Sequence, residues 1–202
     1  MDADWYRTIN NFARSTPWLH WVGAQYALWG GLAILVLLLV VAWLWTRRQP
    51  DATARVAVAV LTGVSAVAVL LINQHLISPA IARPRPCHAL SAVETLLTCT
   101  NDYSMPSDHC IIAGALAVGL WMLNWKFGVI ATVLALLLAF GRVYAGVHYP
   151  SDTIVGLVVG AAIAVIIVLA LRHPLTVLFH RIEQTPASVL IRSRMVSRAT
   201  IG

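Results

Sequence analysis

Arg142, His148 and Asp152 fall within eleven residues of one another, in the stretch GRVYAGVHYPSD that begins at Gly141. His148 and Asp152 are four positions apart, so on a helical backbone they share a face. A carboxylate so placed can bond one imidazole nitrogen, fix the tautomer and leave the other nitrogen free to attack an electrophile. The same spacing also suits a helix-entry loop in which Asp152 caps the helix that follows.

Two clusters upstream carry further chemistry. In Arg83-Pro84-Arg85-Pro86 the prolines hold the backbone extended and stop the preceding helix. The two guanidiniums could grip a phosphate in bidentate fashion, or serve as a basic anchor at a membrane interface. In Met105-Pro106-Ser107-Asp108-His109, Ser107 and Asp108 are types that cap a helix start, whose free N–H groups also attract anions. His109 adds a titratable proton there, and an ordinary capped helix start is the plainer reading.

These clusters must be positioned by apolar helices. The 202-residue chain is 59% hydrophobic and 11% charged, far below the roughly 25% charge of a soluble domain. Residues 15–46, 56–82 and 153–171 contain no Asp, Glu, Lys or Arg. Each is long enough for a bilayer core, which needs about 20 apolar residues. Residues 110–125 and 127–141 are shorter runs that cross with a few flanking residues or a locally thinner membrane. The expected fold is an all-α integral membrane protein, a bundle of about five transmembrane helices. Residues 1–20 place Trp5, Ile9 and Phe12 at helical spacing among charged residues, which predicts an N-terminal amphipathic helix lying in the interface. The predicted division is an interfacial helix over 1–20, a transmembrane domain over 21–172 and a basic tail over 173–202.

Expected spans run over about 22–45, 56–77, 109–124, 127–141 and 153–171. Arg47, Arg48 and Arg55 share one short loop, which the positive-inside rule assigns to the cytoplasm. Threading from there puts the N-terminus and all three clusters outside and the C-terminal tail inside. The net charge of +6 then reports topology, and no stretch of interleaved basic and aromatic residues suggests nucleic acid. Ionisable groups gathered at one depth of a membrane protein are a functional-site signal.

Arg85-Pro86, Pro106-Ser107-x-His109 and Arg142-x5-His148-x3-Asp152 resemble, in order and with fitting spans between them, the three signature motifs of the type-2 phosphatidic-acid phosphatase superfamily. The resemblance covers residues 20–172. The five-span form, the amphipathic start and the variant Pro106-Ser107-Asp108-His109 are most similar to the bacterial undecaprenyl-pyrophosphate phosphatases within it. Three positions depart from the family pattern. Seven residues before Arg85 and before Arg83 stand Ser78 and Leu76, where the family has lysine. Asp108 replaces a glycine, and Gly141 replaces a serine.

The resemblance implies a hydrolase of lipid phosphates in a bacterial plasma membrane, with a polyprenyl pyrophosphate as first choice of substrate. Phosphatidic acid, phosphatidylglycerophosphate and other prenyl-linked phosphates are alternatives. His148 would attack phosphorus and form a phosphohistidine, and Asp152 would orient it. Arg85, Arg142, Ser107 and Arg83 would hold the phosphoryl oxygens. His109 would protonate the leaving group and then activate water. Asp108 would tune His109 or repel a second anion. The arginines supply the positive charge, so no cofactor or metal is expected. A metal site built from His109, His148, Asp108 and Asp152 is the alternative by ligand type, disfavoured by arginines crowding a cation. A Ser107-His-Asp152 hydrolase lacks the turn that exposes a nucleophilic serine. A silent lipid-phosphate binder is the remaining alternative, favoured by the absent lysine.

Cys87 and Cys99 bracket part of the outer loop, and an oxidising exterior allows a disulfide closing 13 residues. Unlinked thiols are the other reading. Cys110 is expected to pack within its span, and Glu94 and Asp102 are expected to be solvated.

Overall fold

The computed structural model describes residues 1–185, Ser188, Leu190 and Ile191. Most of the predicted tail beyond 185, including Arg192, Arg194 and Arg198, lies outside the described residues.

The described elements are helical throughout, in the order α1 (Asp2–Ser15), α2 (His20–Gln25), α3 (Gly31–Thr46), α4 (Ala52–Ile72), α5 (Ser78–Ile81), α6 (Pro86–Ala89), α7 (Asp108–Leu123), α8 (Trp125–Tyr144) and α9 (Pro150–Ile182). A 3₁₀ turn at Pro17–Leu19 and a π turn at Tyr26–Gly30 join α2 and α3 into one stretch from Pro17 to Thr46. A second π turn, Asn73–Ile77, carries α4 into α5. Four helical stretches are long and apolar enough to cross a membrane, and α7 is a shorter apolar fifth of 16 residues. The expected bundle of about five helices is therefore present.

The boundaries differ from the hydropathy reading where polar residues continue a helix. Residues 17–20 belong to the first membrane stretch and not to the interfacial helix, because the chain breaks at Thr16 and Pro17 starts a new turn. The last helix runs to Ile182, eleven residues past the expected end at 171. Arg172, His173 and Arg181 remain helical because charge ends a hydropathy window without ending a helix.

α7 is the axis of the bundle. Its buried residues, among them Cys110, Ile111, Gly114, Leu116 and Leu120, cover its whole circumference. It packs on α9 through small residues. A Cβ on Gly160 would lie 1.9 Å from the Ile111 carbonyl oxygen, and one on Gly114 would lie 2.1 Å from that of Leu157. Gly156, Gly160 and Ala164 are four residues apart and buried, a small-residue stripe that lets two backbones touch. With no hydrophobic drive between helices in lipid, this close packing supplies the association.

The end of the bundle away from the sequence clusters is tied by polar contacts. Arg55 bonds Asp51 at 2.7 Å and the Leu123 carbonyl at 2.9 Å, satisfying an orphan group at the α7 terminus. Asn124 caps α8 by accepting the Lys126 N–H at 2.9 Å.

α1 lies across the other end. Its acidic first turn and basic last turn complement the helix dipole. Trp5 and Phe12 are exposed, while Tyr6, Asn10 and Ala13 form the buried face. The Tyr6 hydroxyl donates to the Gly146 carbonyl at 3.0 Å, and Asn10 exchanges two hydrogen bonds with the Glu94 backbone at 2.7 and 3.0 Å. Thus α1 is amphipathic as expected, and the face that carries Tyr6, Ile9, Asn10 and Ala13 is docked on the loops that carry the motifs.

Candidate active site

His148 is 1% exposed and sits in the turn between α8 and α9. Gly146 makes that turn possible. Its φ is +80°, and a Cβ there would lie 2.1 Å from the Glu94 carbonyl oxygen, so a side chain would be both strained and blocked. Pro150 opens α9, and Asp152 accepts the Tyr149 N–H at 2.8 Å as the helix begins. Asp152 thus helps cap α9 from its third position, with Tyr149 as the N-cap.

The two imidazole nitrogens have different surroundings. Nδ1 lies 2.9 Å from the Ser104 carbonyl oxygen, an acceptor only, so Nδ1 carries the proton. Nε2 lies 3.1 Å from an Arg85 nitrogen and 3.3 Å from an Arg142 nitrogen. Guanidinium only donates, so Nε2 presents its lone pair between two cations. Burial, partly opposed by Asp152 and reinforced by Arg142 and Arg85, pushes the His148 pKa down to about 4. The imidazole is therefore neutral at physiological pH.

Asp152 is fully buried but does not bond the ring directly; its Oδ2 is 3.8 Å from Nδ1. Ser104 stands between them, donating its hydroxyl to Asp152 Oδ2 while its carbonyl holds the imidazole. On the far side, Arg83 donates to Asp152 Oδ1 and to Ser151 Oγ, both at 2.7 Å. Arg83 also bonds Asp2 at 2.6 Å and stacks over the Tyr149 ring at 4.0 Å. Asp2 in turn accepts from the Ser151 hydroxyl at 2.6 Å and from its N–H at 3.1 Å. Burial would raise the Asp2 carboxyl, but its bonds to Ser151 and Arg83 outweigh that and hold it below the ordinary value.

A cavity of about 400 Å³ opens in front of His148. Arg85, Asp108, His109, Arg142 and His148 line it, together with Leu28 and, from the loop, Leu96, Leu97, Thr98, Thr100 and Asp102. The structure thus gathers residues from all three clusters around one space. His109 directs Nε2 to the Leu28 carbonyl at 3.0 Å, which leaves Nδ1 as its other functional nitrogen. Asp108 is held by the side-chain amides of Asn73 at 2.7 Å and Gln74 at 2.9 Å, from the π turn after α4. Ser107 Oγ and Arg142 Nε are buried and make no hydrogen bond; Arg142 lines the cavity, whereas Ser107, predicted to hold substrate, lies beneath it at the start of α7 and does not line it.

Three sequence expectations are corrected. Arg83 does not line the cavity; it lies behind Asp152, because Asp2 and Asp152 each hold one of its terminal nitrogens. Asp102 is not simply solvated. It forms a bidentate pair with Arg85 at 2.8 and 2.9 Å and also accepts from the Thr100 hydroxyl. Burial would raise the Asp102 carboxyl, but Arg85 and Thr100 prevail and hold it low. Glu94 lies 3.8 Å from Arg14, and its backbone is held by Asn10. Ser78 is buried, and it does not line the cavity. Cys87 and Cys99 are joined by a disulfide that staples the loop over the cavity, and Cys110 is buried in α7 as expected.

The alternative set of metal ligands does not assemble. Among the described residues, Cys87, His88 and Cys99 are the one group of three or more such side chains with their ligand atoms clustered, and two of them share the disulfide. Around Nε2 of His148 the neighbours are guanidiniums, which would repel a cation.

The arrangement can do phosphoryl chemistry: a neutral imidazole lone pair flanked by two fixed guanidiniums, with a second histidine on the same cavity. Sequence comparison agrees with this. The pattern of the PAP2 superfamily matches residues 56–173, more than half of the chain. Undecaprenyl-diphosphatase BcrC of Bacillus subtilis is 36% identical over 133 residues, 65% of this chain and 65% of that protein. The alignment thus spans just under two thirds of that relative. Bacitracin transport permease protein BcrC of Bacillus licheniformis is 28% identical over 91% of this chain and 90% of its own length. The crystal structure of a PAP2-type phosphatidylglycerolphosphate phosphatase from Bacillus subtilis shares the fold, with a TM-score of 0.60 at 23% identity, covering 82% of this chain and 83% of that one.

Proposed function

The chain belongs to the PAP2 superfamily, and from that premise we propose that it is a membrane phosphatase of lipid phosphates that hydrolyses a polyprenyl pyrophosphate at the outer face of a bacterial plasma membrane through a phosphohistidine. The observation that carries the mechanism is His148 Nε2, which presents its lone pair between Arg85 and Arg142 at the cavity. In this reading Nε2 attacks the terminal phosphorus while the two arginines take the equatorial oxygens, where transition-state charge collects. His109 protonates the departing lipid phosphate. It then takes a proton from the water that breaks the phosphohistidine. Ser104 and Asp152 stabilise the positive charge that develops on the ring. Asp108, held by Asn73 and Gln74, faces the part of the cavity where a second phosphate would lie and tunes His109. Arg83 acts only through Asp152.

The choice of pyrophosphate is supported by the relative named an undecaprenyl-diphosphatase. The outer-face assignment is supported by the basic loop at Arg47, Arg48 and Arg55 at the opposite end of the bundle. The deciding experiment is phosphate release by the purified protein from a polyprenyl pyrophosphate and from phosphatidic acid, side by side with EDTA present. Release from the pyrophosphate is expected, and His148→Ala should abolish it. A preference for phosphatidic acid would move the substrate, and turnover that survives His148→Ala would remove the phosphohistidine. For topology, Ser91→Cys lies on an exposed loop at the site end and should react with an impermeant maleimide in intact cells; reaction only after lysis would invert the orientation.

A further inference from the structure

Arg85 is 6% exposed, and four hydrogen bonds hold its guanidinium. One terminal nitrogen meets His148 Nε2 and the Val147 carbonyl, at 3.1 and 3.0 Å. The other edge, Nε and the second terminal nitrogen, is taken by the two oxygens of Asp102. Asp102 lines the same cavity as His148, and its carboxylate occupies the edge of Arg85 that a bidentate anion would take. The side chain is 54% exposed, in contrast to the nearly buried arginine.

The segment carrying Asp102 is anchored on both sides. Cys99 is bonded to Cys87, and the Ser104 N–H donates to the Arg83 carbonyl at 2.8 Å. Among the described residues, the side chains that hold the Asp102 carboxylate are Arg85 and Thr100, so it can leave Arg85 by side-chain rotation without opening the loop.

We infer that Asp102 is a specificity-determining residue, an internal carboxylate competitor on Arg85 that admits a terminal phosphoryl group and turns away the phosphodiester headgroups of the surrounding bilayer. A phosphodiester carries one negative charge and two free oxygens, the same as a carboxylate. Exchanging one for the other on Arg85 gains nothing. A terminal phosphoryl group carries about 1.5 to 2 charges near neutral pH and three free oxygens. It can hold Arg85 and Arg142 together, so the exchange is favourable. Discrimination thus comes from an element that repels the wrong ligand as well as from contacts to the right one. An enzyme embedded in phosphodiester lipid needs such a threshold, since those headgroups surround it at high local concentration. The inference rests on the phosphoryl-holding role proposed for Arg85.

The test uses wild type, Asp102→Asn and Thr100→Val. Inorganic phosphate binding is measured by calorimetry, and polyprenyl pyrophosphate turnover is measured in micelles with rising phosphatidylglycerol. Asp102→Asn should bind inorganic phosphate about fivefold more tightly, the scale of a half-exposed ion pair, and should be inhibited by phosphatidylglycerol at fractions that leave wild type untouched. Thr100→Val frees Asp102 from one anchor without touching Arg85, and should shift both readouts the same way by less. Weaker phosphate binding by Asp102→Asn would make Asp102 a support for Arg85 and overturn the inference. So would equal sensitivity to phosphatidylglycerol. A wild type that turns over no lipid phosphate would strike the functional reading alone, and the phosphate-binding comparison would still decide the role of Asp102.

Discussion

The Asp152 carboxylate stands 3.8 Å from the His148 ring, and Ser104 closes the gap with its hydroxyl on one and its carbonyl on the other. The carboxylate thus acts on the imidazole through a third residue whose backbone fixes the tautomer. Ser104→Ala keeps the carbonyl and removes the hydroxyl. It should lower kcat about tenfold to a hundredfold, the value of one hydrogen bond to a buried charge, with little change in KM because Ser104 does not line the cavity. An unchanged kcat in steady-state assays would take Ser104 out of the chain of contacts.

Arg83 and Asp2 also lie off the cavity, and they clamp Asp152 from behind. Arg83→Gln leaves a buried carboxylate without its cation and should cut kcat more than KM, with Arg83→Lys recovering part of the loss. Asp2→Asn should act in the same direction and more weakly, since Arg83 still meets Asp152. A rise in KM at constant kcat would instead place Arg83 on the substrate.

His148 is held neutral by burial, with a pKa of about 4 against an ordinary 6.5. The nucleophilic form therefore persists through mild acid, and kcat/KM should show no acid limb near 6.5 arising from this residue; the limb should lie near 4. Folding stability has a related slope. Between about 6.5 and 4 the unfolded chain binds a proton at this histidine that the native protein does not. Stability should therefore fall as pH drops through that window. A pH profile of kcat/KM beside a thermal-unfolding series checks both.

Gly160 brings α9 against the α7 backbone at Ile111. Gly160→Leu forces the helices apart and should unfold the protein or lower its melting temperature in detergent sharply, since overpacking costs about 1–3 kcal/mol even where a core can adjust. Gly63→Ala, whose nearest neighbour would be the end of Leu39 at 3.8 Å, should be tolerated and serves as the control.

The helices and the three clusters were legible in the sequence because hydropathy and motif spacing are local signals. Arg85, His109, Arg142 and His148 could be placed together from the order of spans alone. Ser104, Asp102 and Asp2 could not. Asp2 acts on Ser151 across 149 positions, and Ser104 on Asp152 across 48. No periodicity links such pairs, and each lies in a loop or terminus where polar residues are expected anyway. Arg83 was misplaced for a related reason: adjacent arginines separated by one proline look equivalent in sequence, yet the extended backbone at Arg85 turns them toward different acids. Asn73 and Gln74 lie in a π turn, which sequence pattern does not distinguish from the α-helix before it.

The shortness of α7 has a consequence for the bilayer around it. The helix starts beside Ser107 and ends at the carbonyl held by Arg55, so its 16 residues span only about 24 Å at 1.5 Å each. A bilayer's hydrocarbon layer is about 30 Å thick. The helix falls about 6 Å short of that layer, so the bilayer must thin around it or polar ends of the helix must sit within the apolar layer. Turnover in vesicles of graded acyl-chain length should therefore depend on bilayer thickness, and equal rates across the series would show that α7 sets no such match.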